Sequence, residues 1–208
     1  WILDELTTNS QPIIASPAWL YSAKLQTRLQ QLQRTPPSSD WEIFWNTPLK
    51  VNGIHLPSPK ICSDILQNAL IPIEKDRPLV QIHGDLCFNN VLADPLHGTV
   101  RLIDPRGEKS PDIGVPLGYG DQRYELVKLS HSGIYLYDSV VQGFYTLRVE
   151  DTDNVHGDQS QNKWSAKIFP PKHYQLVNQL LSELVQSKNL HSEEQRWLSA
   201  SLFFSMLP

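Results

Sequence analysis

The chain has 208 residues, 40% of them hydrophobic, enough to bury a core as one large domain or two small ones. With 18 basic and 22 acidic residues the net charge is -4 and no basic block exists, which speaks against a nucleic-acid partner. No apolar run approaches the ~20 residues that span a bilayer, so neither a membrane partner nor a signal peptide is expected.

Cys62 and Cys87 are too few for a disulfide framework and lack metal-ligand spacing, which points to a reducing, cytoplasmic compartment. The only methionine is Met206, so Trp1 is not a translation start. The chain also stops just after the apolar run Leu202-Phe203-Phe204, and it reads as a piece of a longer polypeptide.

Residues 1–18, with Pro12, Pro17 and a polar cluster, have no sustained period and read as an irregular lead-in or linker. From Trp19 to Arg34, Leu25, Leu29 and Leu32 recur at helical spacing until Pro36-Pro37 stop the helix. Ser38, Ser39 and Asp40 are N-cap candidates for a short helix containing Trp41, Phe44 and Trp45, ended by Pro48. A further helix is expected from Ser58 or Pro59 to Leu70, with Ile61, Ile65 and Leu66 inward. After Pro78 the text turns extended: 79–82, 90–93 and 100–103 are strand-like, the last two joined by Asp94-Pro95-Leu96-His97-Gly98. Residues 105–120 are glycine- and proline-rich loop, and one long helix is expected from Gln122 towards Val141. Segments 144–150 and 163–169 suit a hairpin. Two helices close the chain, over 172–187 and from Ser192, where Gln195 three residues on gives a capping-box pattern.

The chemistry concentrates in His83-Gly84-Asp85-Leu86-Cys87-Phe88-Asn89-Asn90 and Leu102-Ile103-Asp104-Pro105-Arg106-Gly107. Phosphoryl transfer needs an acceptor oxygen in line with the terminal phosphate, a group to receive its proton, and cations on the phosphates. Asp85, on a loop after a strand, can accept a hydrogen bond from a substrate hydroxyl. Asn90 and Asp104 are hard oxygen donors suited to Mg²⁺, and a hairpin brings them to the same end.

HGDLCFNN, a hairpin, IDPRG and then Gly120-Asp121-Gln122-Arg123-Tyr124-Glu125-Leu126 resembles the aminoglycoside phosphotransferase and choline kinase superfamily. The resemblance is strong over residues 79–139 and loose in the flanking helices. It implies an α+β fold: the mostly helical C-terminal lobe of a protein-kinase-like fold over 19–208, with small β-hairpins carrying the catalytic loop. It makes Asp85 the catalytic base, Asn90 and Asp104 the Mg²⁺ ligands, His83 a residue that shapes the loop, and Asp121 a brace for that loop. ATP or another NTP and Mg²⁺ are the implied cofactors, and a small-molecule hydroxyl (sugar, aminoglycoside or amino alcohol) the implied acceptor. The IDPRG form, with Leu126-Val127-Lys128-Leu129-Ser130-His131-Ser132, resembles the bacterial branch linked with surface-polysaccharide or sugar metabolism.

The chain supplies its own control. His156-Gly157-Asp158 is a second HGD, but Lys163 stands five residues after its Asp and no hairpin ending in a carboxylate follows, so it reads as a surface-loop coincidence. Arg106 is either a substrate contact or an ion-pair partner of an acidic neighbour. Cys87 lacks an activator and reads as a small buried residue. Glu150, Asp151, Asp153 and Asp158 form either a site for a cationic substrate or, the plainer reading, a solvated loop. Trp19, Trp41 and Trp45 form either an aromatic cage or ordinary helix packing, the simpler account.

A kinase of this fold also needs a glycine-rich turn over the phosphates and a lysine-bearing strand. Before His83 the only glycine is Gly53, so the small nucleotide lobe is not recognisable. Two functions follow: the large lobe of an ATP-dependent small-molecule kinase, or a non-catalytic kinase-like module that binds a ligand or partner.

Overall fold

The computed structural model describes residues 11–36, 38–106, 114–149 and 162–207. Within the expected lead-in, Ile13–Ala15 forms a strand (β1), because it finds an antiparallel partner in β4 (Arg77–Gln81), Ile13 opposite Leu79. A three-residue strand is too short to show a period, so only the partner reveals it. β4 pairs on its other side with β7 (Tyr119–Gly120), which makes it the centre of a three-stranded sheet.

A 3-10 turn at Ala18–Leu20 leads into α1 (Ser22–Arg34), which buries Leu25 and Leu32 one heptad apart. α2 (Trp41–Asn46) follows, and then two strands absent from the sequence reading, β2 (Leu49–Val51) and β3 (Ile54–Leu56). Their turn is Asn52-Gly53 with φ of +50° and +79°, the double left-handed conformation that suits a tight hairpin. The Asn52 side chain then extends the ladder, donating to the Ala166 carbonyl and accepting from its N–H, both at 2.9 Å.

α3 (Pro59–Leu70) is capped by Ser58, whose hydroxyl accepts from the Ile61 N–H. Its buried face is Ser63, Leu66 and Leu70, whereas Ile61 and Ile65 are exposed, a correction to the expected core stripe. After β4 come a 3-10 turn (Phe88–Asn90) and the hairpin β5 (Val91–Asp94) and β6 (Thr99–Leu102).

The expected helix from Gln122 to Val141 is two. α4 (Gln122–Gly133) ends where the Ile134 and Tyr135 N–H groups both donate to the Ser130 carbonyl, and Leu136, at φ +58°, starts α5 (Tyr137–Val141). Gly133 sits against Leu181 and Phe88, which occupy the space a Cβ would need.

β8 (Tyr145–Val149) and β9 (Asn162–Ile168) form the expected hairpin, and β9 also pairs in parallel with β2, giving a four-stranded sheet in the order β3-β2-β9-β8. α6 (Tyr174–Ser187) and α7 (Ser192–Ser205) complete the fold. The N-cap of α7 is His191 rather than Ser192, and Gln195 donates its side-chain amide to Ser130 Oγ at 3.0 Å, so the capping box does not form. α7 packs on α1, α3 and α4, with Leu198 and Leu202 inside a core shared with Leu25, Leu66, Leu70, Tyr124 and Val127. The architecture is α+β, and no described helix is long and apolar enough to cross a membrane.

Candidate functional site

The site forms where β4 runs out into the loop at 83–90, held between the β5–β6 hairpin and α4. Gly84 has φ +79°, and a Cβ there would collide with the Arg106 carbonyl oxygen. Only glycine gives both the left-handed backbone and this close approach. The Arg106 N–H in turn donates to the His83 carbonyl at 2.8 Å, pinning the segment after β6 against the loop.

His83 Nε2 lies 2.9 Å from the Ile103 carbonyl oxygen, which can only accept, so Nε2 carries the proton and Nδ1 accepts from the Asp85 N–H at 3.3 Å. The imidazole thus ties the loop to the residue that follows the hairpin's return strand. From the other side Glu125, on α4, accepts from the His83 N–H at 3.1 Å and the Gly84 N–H at 2.9 Å, one with each carboxyl oxygen. Burial pushes the Glu125 carboxyl up to about 7, against the lowering effect of these two bonds and of Lys128.

Asp85 is held by two cations. Lys128 Nζ, one turn beyond Glu125 on α4, lies 2.9 Å from Oδ1, and Arg106 Nε lies 3.3 Å from Oδ2. Burial alone pushes this carboxyl up, but Lys128, Arg106 and His83 together outweigh it and hold it below the usual carboxylate range. Asp85 is therefore an anion at neutral pH. Arg106 takes up the ion-pair role that was one of its two readings.

Asn90 donates its side-chain amide to the Asp85 carbonyl at 2.8 Å, which orients the amide and leaves Oδ1 as its acceptor atom. Val91 opposes Leu102, and the Ile103 N–H donates to the Asn90 carbonyl at 3.0 Å, so Asp104 stands one residue beyond the cross-strand partner of Asn90. Asp104 is exposed with φ +55°. Among the described residues no group of three or more His, Cys, Asp or Glu is placed to hold a metal. An amide oxygen and one exposed carboxylate nevertheless suit Mg²⁺, which takes one or two protein oxygens and fills its octahedron with water and phosphate.

Asp121 is buried, but its partners lie away from the loop. It caps α4 by accepting from the Arg123 N–H at 3.0 Å, and its carboxylate also engages the Arg123 guanidinium, the Tyr21 hydroxyl and Arg77. It positions the helix, while Glu125 on that helix bonds the loop directly. Cys87 is half-buried, and burial together with Asp85 raises its thiol, consistent with a packing role. Trp19 belongs to the core, whereas Trp41 and Trp45 stack on α2 with ring centroids 5.4 Å apart, so the three make no common cage. The second HGD and the acidic stretch lie outside the described residues.

Glu125, Lys128 and His131 went unassigned in the sequence reading. Their signal was three titratable groups recurring every third residue along one expected helix. His131 is buried against Tyr137 and Phe203, ring centroids 4.0 and 4.3 Å away. Comparison with protein-family models, curated proteins and solved structures finds no match to this chain.

Proposed function

We propose that this chain is the large lobe of a protein-kinase-like phosphotransferase that moves the terminal phosphate of ATP to a hydroxyl of a small molecule such as a sugar, aminoglycoside or amino alcohol. The observation that carries the reading is the bond from the Asn90 amide to the Asp85 carbonyl, with Asp104 brought beside Asn90 by the hairpin. The bond ties Asn90, one hard oxygen donor, to the residue that carries the base, and the hairpin brings the second donor alongside.

In this reading the acceptor oxygen bonds to the terminal phosphorus as the bond to the bridging oxygen breaks, its electron pair leaving on ADP. The acceptor's proton passes to Asp85, which Lys128 and Arg106 keep ionised. Asn90 Oδ1 and Asp104 would hold Mg²⁺, which supplies charge neutralisation on the phosphates.

The test is nucleotide binding and transfer by the full-length protein. Binding is expected to depend on Mg²⁺ and to weaken in Asp104→Ala. Asp85→Asn is expected to spare binding and to lower turnover about a hundredfold or more. Undiminished transfer by Asp85→Asn refutes the assigned base. Panels of sugars, amino alcohols and aminoglycosides then identify the acceptor.

The second reading, a non-catalytic binding module, draws support from the pairing of both Asp85 oxygens with cations, which engages the groups a base would offer to an acceptor. It expects nucleotide or ligand binding without transfer in the full-length protein. A glycine-rich strand turn and a lysine-bearing strand encoded upstream of Trp1 favour the kinase.

A further inference from the structure

The four-stranded sheet has one apolar face and one basic face. Opposed residues in a ladder project to the same side, and alternate residues to opposite sides. The pairings Leu56–Leu49, Ile54–Val51, Val51–Trp164, Trp164–Val149, Ala166–Leu147 and Ile168–Tyr145 therefore share one face. Lys50, His55, Lys163, Lys167 and Arg148 fall on the other.

The apolar face is largely open. Ile54, Leu56, Tyr145, Leu147, Val149 and Ile168 are 39 to 63% exposed. At its β2–β3 end the face runs into a 380 Å³ groove, where Leu49 and Leu56 meet Trp41, Phe203 and Phe204. Covering the six exposed side chains in two copies removes roughly 1,200 Å² from water, at the lower edge of what a specific, stable interface buries. The contiguous apolar patch on one copy, roughly 600 Å², lies at the upper end of what a monomer ordinarily shows to solvent.

We infer that this face is a homodimer interface, with two copies stacking their sheets face to face about a two-fold axis. A two-fold contact sets a surface against itself, so the surface must tolerate its own charge. The apolar residues named above bring none. The basic face meets that condition badly, because its cations would repel their own copies. Stacking two such sheets gives an aligned β-sandwich with the apolar side chains interleaved.

The test is sedimentation velocity of the full-length protein up to about 100 µM, well above a dissociation constant of ~10 µM. The expected result is a species of twice the chain mass that dissociates on dilution. Leu147→Glu, at the middle of edge strand β8 and 54% exposed on the apolar face, is expected to leave a monomer, and Arg148→Glu, next to it but on the opposite face, to leave the dimer intact. Val149→Thr keeps a β-branched strand residue and is expected to weaken the dimer at least several-fold, which keeps the test valid if Leu147→Glu fails to fold. A monomer at every concentration overturns the inference, since the face then serves another partner or another part of the polypeptide. A dimer that withstands both Leu147→Glu and Val149→Thr, or an open-ended series of larger species, also overturns it.

Discussion

Lys128 Nζ reaches Asp85 Oδ1 at 2.9 Å across the gap between α4 and the 83–90 loop. Burial pushes the Asp85 carboxyl up and Lys128 is the foremost group pulling it down, so removing the lysine tips the balance upward. In Lys128→Met the Asp85 carboxyl is expected to titrate at higher pH. The acidic limb of any Asp85-dependent activity should move to higher pH with it, while Lys128→Arg restores much of the original profile. Carbon-detected titration of the Asp85 carboxyl reads this directly. An unmoved titration assigns its ionisation to Arg106 and His83 instead.

Gly84 is the position where the loop tolerates least. Alanine there must hold a left-handed backbone and also displace the Arg106 carbonyl, breaking the Arg106–His83 bond. Gly84→Ala is expected to cost at least about 2 kcal/mol in denaturant unfolding. It should also disturb Asp104, two residues before Arg106. Gly98, also at positive φ but with open space around it, is the control: Gly98→Ala carries the backbone strain without the collision.

Much of this was legible in the sequence because the signals were local. The helices over 22–34, 41–46, 174–187 and 192–205 follow from period and breakers, and the 91–102 hairpin from its Pro- and Gly-containing turn. The Asn52-Gly53 hairpin was equally legible, being a strong tight-turn signal, yet Gly53 drew attention only as a lone glycine. β1 was not legible, since three residues become a strand only by pairing with β4, 64 positions on from Ile13 to Arg77. Nor was the inward edge of α3: its apolar stripe is wider than its contact, and spacing alone does not decide whether Ile61 or Leu70 turns in. At the site, Asp85, Asn90 and Asp104 lay in a recognisable pattern. The groups that hold the loop, Glu125 and Lys128, sit 40 or more residues away on a helix whose register against the loop is a tertiary fact.

Asp121 anchors a buried cluster that secures the start of α4. Arg123 is 7% exposed and pairs with both Asp121 and Glu194, while its Nη2 also donates to the Ile73 carbonyl at 2.9 Å. Asp121→Ala removes the helix cap and leaves the guanidinium short of one of its two carboxylates. The expected loss is about 3 kcal/mol, in the range for breaking a buried pair by removing one partner. Asp121→Asn keeps an acceptor for the Arg123 N–H and is expected to lose clearly less. Equal losses in the two variants mean that the charge, rather than the cap, carries the cluster.

Glu125 and His131 set opposite pH dependences on the same helix. Burial holds Glu125 up at about 7, above its ordinary 4.5, so the folded protein binds the extra proton between those values. That contribution is full below about 4.5 and is lost as pH rises through 7. Burial, with Lys128 second, drives His131 down from 6.5 to about 3, so the unfolded chain binds the extra proton. Its contribution is full above 6.5 and is lost as pH falls towards 3. Between about 4.5 and 6.5 the two oppose each other and flatten the wild-type curve. Thermal unfolding across pH separates them. The melting temperature of wild type relative to Glu125→Gln is expected to fall as pH rises towards 7. Relative to His131→Phe, which keeps a ring against Tyr137 and Phe203, it is expected to rise from pH 4 to 6.5. A wild-type advantage over Glu125→Gln that grows with pH means that Glu125 is ionised throughout, and that its bonds to His83 and Gly84 outweigh its burial.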